Sequence, residues 1–146
     1  MTKHKKAQKK EEEQPKILLQ SGRGPKVTIK KSKFIATAYV ITKVEEKTEH
    51  LETIKKEMKK ASHNSWALRC ETPTGIWEES SDDGEVSGCA GKPLMSILQH
   101  LHLVNVLVVV TRYYGGINLG PAGLIRAYSS TSKELLEMIG FEEKKY

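Results

Sequence analysis

Three carboxylates crowd into four positions, Asp82, Asp83 and Glu85, within the run Ser81-Asp82-Asp83-Gly84-Glu85. Acidic neighbours this close repel one another unless a cation sits nearby. That cation can be Mg²⁺ or another divalent ion, since hard cations prefer carboxylate oxygens. It can equally be an Arg or Lys delivered by the fold. The spacing does not match a calcium loop, which needs a longer pattern ending in Glu. A third reading is an acidic surface loop whose carboxylates cap turns or helix ends. The run continues through Gly88-Cys89-Ala90-Gly91-Lys92-Pro93. Cys89 has no base evident in the sequence, and the nearby acidic charge raises its thiol pKa, which argues against a nucleophile.

The second chemical segment runs from Thr111-Arg112-Tyr113-Tyr114-Gly115-Gly116 through Ile117-Asn118-Leu119-Gly120-Pro121 to Arg126 and Tyr128. Glycines between a strand and a helix permit tight turning and close backbone approach. The helix start then offers free N–H groups and the positive end of a dipole. Arg112 and Arg126 bracket the turn and are placed to grip a phosphate or carboxylate, and Tyr113 and Tyr114 can stack on a base. The expected anion- or RNA-binding set is therefore Arg112, Tyr113, Gly115, Gly116, Gly120 and Arg126, with Lys92 from the first segment. The pattern matches neither the P-loop nor the dinucleotide fingerprint. The competing reading is that the glycines only allow strand-to-helix packing and the arginines pair with Asp82, Asp83 or Glu85.

A third segment, His63-Asn64-Ser65-Trp66-Ala67-Leu68-Arg69, offers His63 as an acid, base or ligand and Arg69 as a further cation. A single His at a strand start is more often a structural hydrogen-bonder. Trp66 is expected in or near the core. The cluster Lys30, Lys31, Lys33 reads as a solvated rim or as part of a nucleic-acid face.

These segments need elements to hold them. Val27 and Ile29 alternate with polar neighbours, and Phe34 to Thr42 is rich in β-branched and aromatic residues, so two strands are expected there. Val44, Leu51, Ile54, Met58 and Ala61 follow helical spacing. Thr42 and Glu45 would form a capping box for that helix. Short strands at 65–70 and 76–78 flank the turn signal Thr72-Pro73-Thr74-Gly75. Pro93 opens a helix, as Pro is favoured in a first turn. Leu103 to Tyr113 reads as a central strand buried on both faces, because Val106 to Val110 is apolar without interruption. A last helix spans 121–139, with Leu124, Tyr128, Leu135 and Ile139 along one face and Gly140 as its C-cap. The order ββαββαβα predicts an α+β two-layer sandwich, a mixed β-sheet with helices on one face. Residues 1–25 are expected to be a flexible basic leader, 26–141 the domain, and 142–146 a tail. Ile17, Leu18 and Leu19 within the leader are apolar enough to pack.

The 146 residues carry a net charge of +6, and the first sixteen hold six lysines against three glutamates, half of the excess. A basic tail attracts nucleic acid, acidic proteins or anionic membrane without choosing among them. Two cysteines, Cys70 and Cys89, cannot make a disulfide framework or a cysteine-based zinc site, which suits a reducing, cytoplasmic setting. The first fifteen residues have no apolar core of a secretory signal, and Val106–Val110 is far too short to span a bilayer. No cofactor is indicated, whether a metal binds is left open, and a monomer is expected.

Together the three segments resemble the Impact family, called YigZ-like in bacteria. Its pattern joins a His-x-x-Ala-x-Arg-like stretch to Asp-Asp-Gly-Glu-Pro-x-Gly-Thr-Ala-Gly-x-Pro and Arg-Tyr-Phe-Gly-Gly-x-Lys-Leu-Gly-x-Gly-Gly-Leu-x-Arg-Ala-Tyr. The likeness covers about Lys30 to Leu136 in the same order. Val86 stands where the pattern has Pro, Cys89 where it has Thr, Tyr114 where it has Phe, Asn118 where it has Lys, and Ala122 where it has Gly. Losing that Lys removes one cation beside the glycine-rich turn. The resemblance implies a fold similar to the second domain of ribosomal protein S-five of the small subunit and to domain IV of the translocating elongation factor. It implies a non-enzymatic regulatory module whose partner is RNA, the ribosome or a translation-regulatory protein. Eukaryotic members act in the pathway of the starvation-sensing initiation-factor kinase with an added N-terminal RWD domain, and bacterial members carry a ferredoxin-like C-terminal domain. This chain is expected to be the bare shared domain. A metal-dependent enzyme for a phosphorylated or nucleotide substrate is the alternative, with Asp82, Asp83 and Glu85 on the metal and Arg112 and Arg126 on the anion.

Overall fold

A computed structural model describes residues 14–146 and the backbone of residues 2–7. The elements follow as β1 (Thr2–Ala7), β2 (Lys16–Leu18), β3 (Gly22–Arg23), β4 (Val27–Ile29), β5 (Ser32–Val40), α1 (Glu46–Glu57), β6 (His63–Thr72), β7 (Gly75–Ser81), α2 (Gly91–His100), β8 (Val106–Tyr113), α3 (Gly120–Ile139) and β9 (Phe141–Glu143).

The main sheet runs β1-β7-β6-β8-β5-β3, with β4 also on β5, and β2 pairs with β9 in a separate ribbon. Every pairing between these strands is antiparallel. The α+β class holds, but the sheet is not mixed: the strands joined through α1 (β5, β6) and through α2 (β7, β8) run parallel but are not neighbours, because β8 lies between the first two and β6 between the second two.

Successive strand residues point to opposite faces, and the two faces have separate cores. Phe34, Ala36, Ala38, Ala67, Val106, Val108 and Val110 meet Leu94 and Leu98 of α2 and Leu124, Tyr128 and Leu135 of α3. Ile35, Trp66, Leu68, Cys70, Leu107 and Val109 meet Ile54 of α1 and Met58, the residue that caps its C-terminal end. The helices are thus not confined to one face. The uninterrupted apolar run of β8 has this cause: α1 covers the face that a two-layer arrangement would leave wet. Leu98 and Leu107 are fully buried, so truncating either to Ala should cost about 2–5 kcal/mol.

At the start of α1 the cap differs from the expected pair by one residue. The Glu46 carboxylate, rather than that of Glu45, accepts from Thr42 N–H at 2.9 Å, the Thr42 hydroxyl at 2.8 Å and Lys43 N–H at 2.8 Å. The Thr42 bonds hold the Glu46 carboxyl below its ordinary range. Gly140 does close α3, donating its N–H to Leu136 O at 2.9 Å.

Residues 14–24, expected in the leader, are woven into the fold. Leu18 is 3% exposed and part of the α2/α3 core. Lys16 N–H donates to His102 O at 2.8 Å, and Val104 N–H donates to Lys16 O at 2.9 Å. Part of the expected tail is strand β9, in register with β2 from Lys16↔Glu143 to Leu18↔Phe141. Residues 2–7 of the same leader form β1, and residues 1 and 8–13 lie outside the described residues.

Candidate functional site

The acidic loop and the glycine-rich turn meet at the ends of β6, β7 and β8. Pairing of His63 with Arg112 across β6 and β8 brings the β8 end beside the loop that follows β7. Glu85 and Arg112 are both buried, at 7% and 4% exposure. Arg112 Nη1 donates to Glu85 Oε2 at 2.8 Å and to Oε1 at 3.1 Å. Its Nε and Nη2 donate to Ser32 Oγ at 3.3 and 3.2 Å. The guanidinium lies over the rings of Phe34 and Tyr114, at 5.7 and 5.3 Å from their centroids. From α3 the Tyr128 hydroxyl donates to Glu85 Oε2 at 2.6 Å. His63 Nε2 stands 3.6 Å from Glu85 Oε1.

The electrostatics follow from this geometry. Burial alone would raise the Glu85 carboxyl, yet the Tyr128 and Arg112 hydrogen bonds, with smaller help from His63, hold it below the ordinary range. Burial, then the bond to Glu85, pushes the Tyr128 phenol well above its usual value. Burial, then Asp82 and Glu85, raises the Cys89 thiol, and Cys89 sits in the core at 5% exposure.

The other two carboxylates do different work. Asp82 Oδ1 accepts from Gly91 N–H at 2.8 Å and Ala90 N–H at 3.3 Å, and its Oδ2 accepts from Gly88 N–H at 2.9 Å. It therefore holds the first turn of α2, whose unpaired donors need such an acceptor. A Cβ on Gly91 would lie 3.0–3.1 Å from the Ser81 backbone, so the helix start approaches β7 only because that residue is glycine. Asp83 Oδ2 accepts from Asn64 N–H at 2.7 Å, while His63 Nδ1 lies 3.0 Å from Asp83 O. Among the described residues no group of three or more His, Cys, Asp or Glu is placed to hold a metal ion.

The remaining expected residues separate. Tyr113 leaves the turn for the other face, where its hydroxyl donates to Met58 Sδ at 3.5 Å in the α1 core. Arg69 is remote: its Nε donates to Glu78 Oε2 at 2.9 Å and its Nη1 to Leu103 O at 2.9 Å. Arg126 and Lys92 are exposed. Neither has a carboxylate partner among the described residues. Gly116 and Gly120 are exposed on the turn, whereas Gly115 is pressed against the Lys30-Lys31 turn. A Cβ there would sit 2.1 Å from Lys31 O, so no other residue fits. Ser32 was not singled out from sequence, yet its hydroxyl serves Arg112 and also accepts from Gly115 N–H at 3.2 Å. Its only signal is a polar residue of strand phase inside a lysine run. Tyr114 and Asn118, two departures from the family pattern, bond to each other, hydroxyl to Oδ1, at 3.2 Å.

The family model of the Impact N-terminal domain matches residues 30–136, the stretch that holds the acidic loop and the glycine turn. The chain belongs to the Impact family. It is 40% identical over 119 residues to the IMPACT family member YvyE of Bacillus subtilis (strain 168), covering 82% of this chain and 54% of that protein. A crystal structure of a hypothetical protein superposes with a TM-score of 0.78 at 32% identity, covering 91% of this chain and 65% of that one. The structure of the two-domain translational regulator Yih1 superposes with a TM-score of 0.56 at 28% identity, covering 84% of this chain and 48% of that one. The chain spans about half the length of the curated relatives it matches. Among the described residues no helix is long and apolar enough to cross a membrane.

Proposed function

We propose that the chain is a non-enzymatic binding module of the translation machinery and that it engages RNA through the surface around the Gly115–Gly120 turn. The observation that carries this reading is the internal commitment of the motif charges. Glu85 is neutralised by Arg112, and Asp82 is engaged by three backbone N–H groups. The motifs thereby act as a brace that shapes a surface, and the metal-dependent alternative is left without free carboxylate oxygens on Asp82 and Glu85.

The surface beside the brace has the chemistry of a polyanion site. Lys30 and Lys31 are exposed on the turn that packs on Gly115, and Arg126 and Lys92 are exposed on α3 and α2. Tyr114 is 51% exposed, with Ile117 at 41%. Lysine and arginine take phosphates, and a tyrosine ring stacks on any base. Arg112 acts here by positioning Tyr114 rather than by holding the ligand. The link to translation is supported by the likeness to Yih1, a translational regulator.

Fluorescence anisotropy with a labelled single-stranded RNA tests the proposal. About three phosphate contacts to a single strand give a log–log salt slope near −2, so raising salt from 50 to 200 mM should weaken binding by about tenfold or more. Arg126→Glu and Lys31→Glu should each weaken it further, and Tyr114→Ala should cost about 1–3 kcal/mol if a base stacks there. Absence of binding at low salt, or a flat salt response, rules out the RNA reading. Calorimetric titration with Mg²⁺ or Mn²⁺ and nucleotides tests the enzymatic alternative, which requires a measurable heat.

A further inference from the structure

Two lysines occupy a turn that does not suit them. β4 and β5 form a hairpin in which Ile29 pairs with Ser32, so Lys30 and Lys31 are its two central residues. Their φ angles are +46° and +68°, in the left-handed region. Hairpin turns of this kind ordinarily take Asn-Gly, because a Cβ there is crowded by the following carbonyl. Both lysines are exposed. What they add over Asn-Gly is charge, held against Gly115, where an added Cβ would meet Lys31 O. Backbone kept in a costly conformation marks a surface retained for use rather than for folding.

A second basic run arrives from the other side of the same turn. Residues 55–60 read Lys-Lys-Glu-Met-Lys-Lys. Lys55 and Lys56 lie in the last turn of α1, where cations complement the helix dipole. Lys59 and Lys60 follow the helix end and are exposed. Glu57, the one acid of the run, is taken by Arg23 Nη2 at 2.7 Å. The chain is then pinned to β8: Ser62 N–H donates to Arg112 O at 2.8 Å, and Ser62 Oγ accepts from Tyr114 N–H at 3.0 Å. Lys60 is thus two residues, at most about 7 Å of chain, from a group bonded to Tyr114. Lys33 is exposed on the same face of the sheet, two residues before Ile35 and paired with Tyr113, whose hydroxyl donates to Met58 Sδ beside Lys59 in the chain. Among the described residues, none of Lys30, Lys31, Lys33, Lys59 and Lys60 pairs with a carboxylate.

Tyr114 therefore stands between two free basic clusters. Arg112 lies over one face of its ring, and its hydroxyl is committed to Asn118. The ring is a fixed platform with one face to offer, and only an unpaired base can lie on it. We propose that the RNA path continues past the glycine turn, over the end of β8 and onto the α1 face, where Lys33, Lys59 and Lys60 hold the backbone of a single strand that stacks one base on Tyr114; the path rests on the RNA reading of that turn and narrows it to unpaired strands. Asp83, exposed where it accepts from Asn64 N–H, limits the track on the β6 side.

The test is fluorescence anisotropy of the full chain with a labelled single-stranded RNA of about twelve nucleotides. Each phosphate contact to a single strand adds about −0.7 to the log–log salt slope, so three further contacts steepen it from near −2 to near −4. K59Q/K60Q should make the slope shallower by about 1.4, which shrinks the loss between 50 and 200 mM salt about sevenfold. K133Q/K145Q, which removes the same charge from exposed positions on α3 and near the C-terminus, should leave the slope unchanged. A duplex of the same sequence should bind the unaltered chain about tenfold more weakly, having no free base for Tyr114. Salt-dependent binding whose slope K59Q/K60Q changes no more than K133Q/K145Q does would overturn the track and leave the glycine-turn reading standing. A duplex that binds as tightly as the single strand would overturn the restriction to unpaired strands. No RNA binding by the unaltered chain overturns the turn reading itself, and the track falls with it.

Discussion

Two ion-paired clusters tie distant parts of this chain together, and they have different strengths. In one, Glu85 and Arg112 are sealed, with side-chain exposures of 3% and 5%. In the other, Glu71 pairs with Lys144 at exposures of 25% and 28%, and also accepts from the Tyr146 hydroxyl at 2.6 Å and from Asn105. Both glutamates are held below the ordinary carboxylate range against burial that would raise them. The sealed pair has no water to replace a lost partner, so its loss leaves a bare charge in a poor solvent. The half-open pair has water at hand and contributes little. Matching pairs of charges thus brace the fold at one end and merely fasten a terminus at the other.

That contrast can be broken one residue at a time. Arg112→Ala should have the largest effect, about 3–5 kcal/mol lost in urea unfolding, because it strands Glu85. Should it cost less than 1 kcal/mol, the pair is not a brace. Tyr128→Phe should come next, at about 1.5–3 kcal/mol, since it removes a hydrogen bond to a charged group while keeping the ring packed edge-on to Phe34. Asp82→Ala should cost about 0.5–2 kcal/mol by uncapping α2, visible as faster hydrogen exchange of Gly88 and Gly91. Lys144→Ala should be smallest, at about 0–1 kcal/mol.

Acid titration sharpens the same comparison. The folded Glu85 carboxyl titrates below its unfolded value near 4.5. Between the two values the unfolded chain binds more protons, so stability is fully present above the unfolded pKa and is lost as pH falls through the folded one. A Glu85→Gln variant should lack that part of the acid dependence. A Tm-against-pH curve between pH 6 and 2.5 that runs parallel for both proteins would contradict it.

The parts that could be read from residue order were those with period. The β8 run, the α3 stripe from Leu124 to Ile139 and the turn at Thr72–Gly75 all emerged where spacing placed them. The meeting of the acidic loop and the glycine turn was also legible, because unlike charges at two motif positions invite pairing. What spacing could not reveal was which arginine pairs. Arg112 lies on a strand phase facing the α2/α3 core and Arg126 on the wet side of α3, a difference set by strand register in one case and helix phase in the other. Tyr128 read as one more apolar helix position, although its hydroxyl completes the Glu85 cluster. The strands β2 and β9, three residues each, are too short to show alternation, and only tertiary pairing reveals them.

The β2–β9 ribbon has a mechanical consequence. Gln14 reaches Lys144 O by its side chain, Lys144 N–H donates to Pro15 O, and the strand pairs follow inward from Lys16↔Glu143 to Leu18↔Phe141. Tension applied outward at residues 14 and 146 meets these links one after another, so they peel like a zip rather than resisting in shear as a group. Under force the ribbon should open first and at low load, leaving the helix-covered sheet standing until the pull reaches Leu18 in the core.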